Sequence, residues 1–138
     1  MWITSVIETG KLEMKPFVAI SEAESVVMEV LWRLGPLRSE NVVENLTHHH
    51  QWREPTIKTL LNRLLNKGAI SAEKDGRRYV YSPVLTRDEW LSRESNGLLD
   101  RLFGGRVAPL VAHFGRHGRL SKKDIAELKR MIVEMDDG

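Results

Sequence analysis

Thr56, Lys58, Thr59, Asn62 and Arg63 fall within eight residues of one another, and at helical spacing they share the polar side of one short helix. Together they offer hydroxyls, methyls, an amide, an ammonium and a guanidinium. This set can meet base edges in a major groove, where threonine methyls suit thymine and the polar groups pair with the exposed donors and acceptors. Lys58 and Arg63 can reach guanine or phosphate, and both options stay open. Pro55, just ahead, belongs to the same candidate base-reading group. Lys74, Arg77 and Arg78 cluster around Asp75-Gly76. With Arg53 and Lys67, at the two ends of the helical stretch, they are candidate contacts to the DNA backbone, which position a protein on a duplex without selecting its sequence. Catalytic chemistry finds no comparable footing. No serine or histidine has a nucleophile-and-base context, and the chain contains neither a P-loop nor a G-x-G-x-x-G run. No enzymatic activity, cofactor or metal is expected.

These side chains need a frame. Ile57, Leu60, Leu61, Leu64 and Leu65 form a buried stripe opposite the polar face. Pro55 suits the first helical position, where its missing N–H costs nothing, and Gly68 is the expected stop. Upstream, Ser21 and Glu24 form an S-x-x-E capping box that opens a helix with Ala23, Val27, Val30, Leu31 and Leu34 on its core face. Gly35-Pro36 ends it. Ser39 is the expected N-cap of a second helix, with Val42, Val43 and Leu46 inward, and His48 to Trp52 are expected to form the turn before the third. Downstream, Ala69–Glu73 and Arg77–Pro83 read as two strands joined tightly at Asp75-Gly76. Three helices followed by a basic hairpin make a winged helix-turn-helix.

After Pro83 the pattern becomes wholly helical. Thr86 with Glu89 caps a long helix reaching about Phe103. Gly104-Gly105 breaks it, a short helix runs from Val107 to Phe114, and Ser121 with Asp124 opens a last one. Trp90, Leu98, Leu99, Leu102, Leu110, Val111, Phe114, Ile125, Leu128 and Ile132 lie on apolar faces with little to cover them inside one subunit. They are expected to pair two copies, which sets two reading helices about one DNA turn apart on an inverted repeat. The expected fold class is mainly α with a small β-hairpin wing. Residues 1–16 form an N-terminal extension expected to be poorly ordered, 17–84 the DNA-binding domain and 85–138 a helical dimerisation domain. Met14 is a plausible alternative start.

Bulk properties agree without deciding. The 138 residues are 41% hydrophobic and 29% charged, with a net charge of only +2, so local distribution matters more than the total. Between Arg53 and Arg78, seven basic residues against three acids leave +4, the form of a phosphate-contacting patch. No cysteine is present, which excludes disulfides and thiolate metal sites and suits a cytoplasmic setting. No apolar run approaches a membrane span, and the first residues lack the pattern of a signal peptide.

ISEAESVVMEVLW, WREPTIKTLLNRLLNKGAI and DGRRYVYSPV closely resemble the penicillinase-repressor family of bacterial transcription factors (BlaI/MecI, with the related copper repressor CopY). The resemblance covers about residues 17 to 135. It implies a homodimeric repressor with a winged-helix domain and a helical dimerisation domain, sitting on operator inverted repeats. For the β-lactam branch it implies control of β-lactam resistance genes, a membrane-embedded sensor protease as partner, and cleavage in the first helix of the dimerisation domain. That region maps to Ser95-Asn96-Gly97-Leu98. The family's bond joins an Asn to a Phe, whereas the aligned pair here is Gly97-Leu98, with Asn96 one position earlier. Copper sensing through Cys-x-Cys motifs is excluded.

Plainer readings compete at several positions. The Pro55–Lys67 stretch could be an ordinary amphipathic surface helix, or the whole a winged-helix protein-interaction module that never meets DNA. Such a module should expose apolar or acidic residues there, and this helix offers Thr, Lys, Asn and Arg instead. Lys74, Arg77 and Arg78 could be a solvated turn. His48-His49-His50 invite a metal, but adjacent side chains diverge, and a solvated turn is the stronger reading. His113 and His117 have the i, i+4 spacing of a zinc pair, interrupted by Gly115. Trp32, Trp52 and Trp90 read as core or interface anchors. Asn96-Gly97-Leu98 is either a protease site or the middle of a dimer helix weakened by Gly97.

Overall fold

The computed structural model describes residues 19–137. The expectations for residues 1–16, Met14 included, lie outside the described residues. Among the described residues, six helices and three strands follow in the order α1 (Glu22–Leu34), β1 (Leu37–Arg38), α2 (Ser39–His50), α3 (Glu54–Lys67), β2 (Ile70–Asp75), β3 (Arg78–Pro83), α4 (Arg87–Leu102), α5 (Val107–Arg116) and α6 (Lys122–Asp137). The mainly helical architecture with a small hairpin is the one expected. The chain divides into two compact units, with the boundary between Trp90 and Leu91.

In the N-terminal unit, α1 starts at the expected capping box. Ser21 Oγ accepts from Glu24 N at 3.1 Å, and Glu24 Oε1 accepts from Ser21 N at 2.9 Å. Val27, Met28, Val30 and Leu31 of α1, Val42 and Leu46 of α2, and Ile57, Leu60, Leu61 and Leu64 of α3 make the buried core, closed by Ala69, Ile70 and Leu85. Leu34, expected on the core face, is 49% exposed instead, because it lies in the last turn beside the Gly35 stop. Trp32, Trp52 and Trp90 are half-buried against this core. Trp32 Nε1 donates to Leu85 O at 2.8 Å.

Two boundaries differ from expectation. Ser39 is the first residue of α2 and not its cap; Arg38 holds the cap position without a side-chain hydrogen bond. His48, His49 and His50 form the last turn of α2, and the turn itself is confined to Gln51–Arg53. The chain reverses there through a left-handed Gln51 (φ 58°), a conformation usually left to Gly or Asn. Sequence reading placed the turn on the histidines because nothing marks Gln51 as the stop.

The sheet has a third strand that the sequence did not announce. β3 lies in the middle, antiparallel to both β1 and β2, in the order β1-β3-β2. Leu37 faces Tyr81 and Arg38 faces Val80 across the short added pair. Asp75 pairs with Arg78, so Gly76 and Arg77 are the central turn residues and the hairpin is one residue out of the expected register. Gly76 carries φ 68°, the positive value a type II′ turn needs at its first central position.

The C-terminal unit continues α4 through Leu102, then α5 and α6. The expected caps form: Glu89 N donates to Thr86 Oγ1 at 3.1 Å, and Asp124 N donates to Ser121 Oγ at 3.0 Å. None of these three helices contains a fully buried residue. Val107, Val111, Leu120, Ile125, Leu128 and Ile132 line an open apolar groove along α5 and α6.

Candidate nucleic-acid interface

The core stripe of α3 fixes which side of the helix faces outward. With Ile57, Leu60, Leu61 and Leu64 buried, Pro55, Thr56, Lys58, Thr59, Asn62 and Arg63 are all exposed on the other side. The helix ends at Gly68, left-handed at φ 77°, whose N–H bonds back to Leu64 O and Leu65 O. A sidechain-bearing residue adopts that backbone only with strain.

The basic residues flanking this face separate into two groups. Arg53, Arg63, Lys74 and Arg77 hold no carboxylate among the described residues, and they remain available to an incoming anion. Lys58, Lys67 and Arg78 each hold one. Lys58 Nζ lies 3.0 Å from Glu54 Oε2, one helical turn away. Arg78 is paired with Glu40 at the start of α2. Across the same sheet Arg38 holds Asp75 at 3.1 Å, so two ion pairs tie the hairpin to the β1–α2 junction.

Lys67 also makes contacts within the fold. Its Nζ donates to Glu24 Oε1 at 2.5 Å and to Ala19 O at 2.8 Å, joining the end of α3 to the start of α1. Glu24 is only 1% exposed. Burial pushes its carboxyl up, but the Lys67 hydrogen bond, the Ser21 N–H and the Lys67 charge outweigh that and hold it below the ordinary value. Glu24 was legible as a cap residue. That it also carries a buried ion pair was not, because its partner lies 43 positions away.

The histidines are placed without a metal-binding arrangement: among the described residues, no group of three or more His, Cys, Asp or Glu side chains converges on one point. His48 and His49 meet edge to face, and His50 rests on Trp52 with centroids 5.4 Å apart. His113 and His117 stack at 4.3 Å, and His117 Nδ1–H donates to His113 O at 2.9 Å. α5 runs through Gly115 to Arg116, past the expected end at Phe114.

Of the positions expected to pair subunits, Trp90 lies with the N-terminal unit, its ring 5.4 Å from Trp32. Leu102, Phe114, Ile125 and Ile132 are exposed at 63%, 39%, 41% and 61%, while Leu99, Leu110, Val111 and Leu128 are half-buried. Asn96 and Leu98 are exposed and Gly97 half-buried within α4.

Residues 20–134 match the family model described as penicillinase repressor. The chain belongs to the penicillinase repressor family. It is 33% identical over 121 residues to the penicillinase repressor of Bacillus licheniformis, covering 88% of this chain and 94% of that one. It is 28% identical over 113 residues to the methicillin resistance regulatory protein MecI of Mammaliicoccus sciuri, covering 82% and 92%. Among solved structures, the DNA-binding domain of the repressor BlaI aligns with a TM-score of 0.51 at 37% identity, covering 55% of this chain and 93% of that domain. As a penicillinase repressor family member the chain thus shares a winged-helix head with BlaI. No helix among the described residues is long and apolar enough to cross a membrane.

Proposed function

We propose that this chain is a transcriptional repressor that binds an operator inverted repeat as a homodimer. α3 enters the major groove, with Pro55, Thr56, Lys58, Thr59, Asn62 and Arg63 toward the bases. Arg53, Lys74, Arg77 and Arg78 hold the backbone. The observation that carries this reading is the outward face of α3, whose residues are polar or basic apart from Pro55 and Glu54, set beside a basic hairpin. The family and the names of its relatives support repression as the outcome. A gel shift of the full chain against DNA upstream of its own gene tests it. Retardation that weakens with salt is expected, and no retardation at low salt overturns it.

Dimerisation is assigned to the C-terminal unit, because its helices bury no residue fully yet expose Leu98, Leu102, Phe114, Ile125 and Ile132. Control of β-lactam resistance genes and release by proteolysis at Asn96–Leu98 complete the proposal. The resistance relatives favour the first. An exposed stretch of α4 with a glycine in it favours the second. A cytoplasmic location follows from an operator on chromosomal or plasmid DNA. A neighbouring gene for a β-lactamase or a sensor protease supports this regulon, and a neighbourhood of unrelated genes argues against it.

A further inference from the structure

Glu54 is the only acid on α3, and it stands in the first turn of the helix. Its side chain and that of Lys58 are 56% and 55% exposed and form an ion pair at 3.0 Å. An acid in a first turn complements the helix dipole, and a Glu-to-Lys pair at i, i+4 supports a helix. Those services would be equally useful on any exposed face. On this face the carboxylate also repels phosphate, which weakens every encounter with DNA that does not use it.

A base pair gives the carboxylate a use. In the major groove each Watson–Crick pair exposes one exocyclic donor beside one exocyclic acceptor, hydrogen-bonded to each other at about 2.9 Å. The Glu54–Lys58 pair presents an acceptor beside a donor at nearly that separation. We propose that Glu54 and Lys58 act as one reading unit for a single C·G base pair, Glu54 accepting from cytosine N4 and Lys58 donating to guanine O6. This deepens the DNA-binding reading and rests on it.

The flanks decide between C·G and A·T. Adenine N6 is also a donor beside an acceptor, but its neighbour on the other side is N7, an acceptor that would face the carboxylate. In C·G the N7 sits beside guanine O6, where it offers Lys58 a second acceptor, and only a C–H lies beside cytosine N4. Because the pair is already formed in the free protein, less side-chain order has to be acquired on binding. Thr56, Thr59 and Arg63 supply no acid, so this selectivity belongs to Glu54.

The test is selection from a pool of randomised duplexes by the full chain, as wild type and as Glu54→Ala, Glu54→Gln and Lys58→Ala. The wild type should enrich one C·G pair in each half-site by roughly tenfold or more over the alternatives. Glu54→Ala and Lys58→Ala should level that position and keep the other preferences. Glu54→Gln should move it toward A·T, since a Gln amide pairs with adenine N6 and N7. Glu54 is exposed, and an unchanged circular dichroism spectrum establishes that the variants fold. If Glu54→Ala selects the same sequences as wild type and binds all of them more tightly, the residue is only a local charge and the inference is overturned. A wild type that retains no duplex at low salt overturns the DNA-binding reading itself, and the inference with it.

Discussion

Lys67 carries contacts within the fold that its place in the basic cluster did not announce. It belongs to the basic cluster by sequence, yet it neutralises a buried carboxylate and holds a backbone carbonyl. Glu24 binds its proton less readily folded than unfolded, so the stabilisation is complete above the ordinary glutamate value and is lost as pH falls through the folded one. Lys67→Ala should cost about 3 kcal/mol at pH 7, where it strands a buried charge. The gap to wild type should shrink at acid pH, where Glu24 in the variant, without the Lys67 contacts that oppose its burial, takes up a proton. Urea denaturation at both pH values measures this, and a constant gap would mean that Lys67 acts through packing alone. Arg77 and Arg78 make a second contrast. Arg77→Ala should weaken binding to all duplexes and reduce the salt slope by about 1. Arg78→Ala should do less, because Arg78 exchanges Glu40 for phosphate instead of gaining a partner. Thr59→Ala should relax base preference at a cost of about 1–3 kcal/mol and leave the salt slope unchanged. Titrations of each variant at several salt concentrations separate the roles.

Elements with local signals were legible, and those made by distant pairing were not. The Ser21–Glu24, Thr86–Glu89 and Ser121–Asp124 caps each span three residues and formed as read. The stripe of α3 and the Gly68 stop are equally local. β1 is two residues long and exists only because β3 lies beside it, so no pattern of its own could announce it. The exposed face of α3 was legible because a helical period separates faces. The ion pairs Arg78–Glu40 and Arg38–Asp75 join residues 38 and 37 positions apart and could not be seen. Glu54–Lys58, by contrast, was within reach of the i, i+4 rule. Gly97 offers a test at this scale. A methyl added there meets nothing nearer than Arg101 at 4.0 Å. Gly97→Ala should therefore stabilise α4 by about 1 kcal/mol. Limited proteolysis should then cut α4 more slowly, and an unchanged rate would detach helix weakness from cleavage.

The whole molecule is two units of different character. One has a closed core of side chains from three helices and the hairpin; the other leaves its apolar faces open. Ile132, 61% exposed in α6, is a position where a charge should oppose pairing. Ile132→Asp should sediment as a monomer and lose the preference for a full inverted repeat over a single half-site. A variant that remains dimeric would move the interface elsewhere. Trp90, the last residue of the N-terminal unit, packs on its core, with its ring 5.4 Å from Trp32 at a tilt of 36°. Two indoles that close couple their electronic transitions. The protein therefore carries its own optical gauge: the near-ultraviolet dichroism of this pair reports whether the core of the N-terminal unit is closed around Trp32, with no label attached.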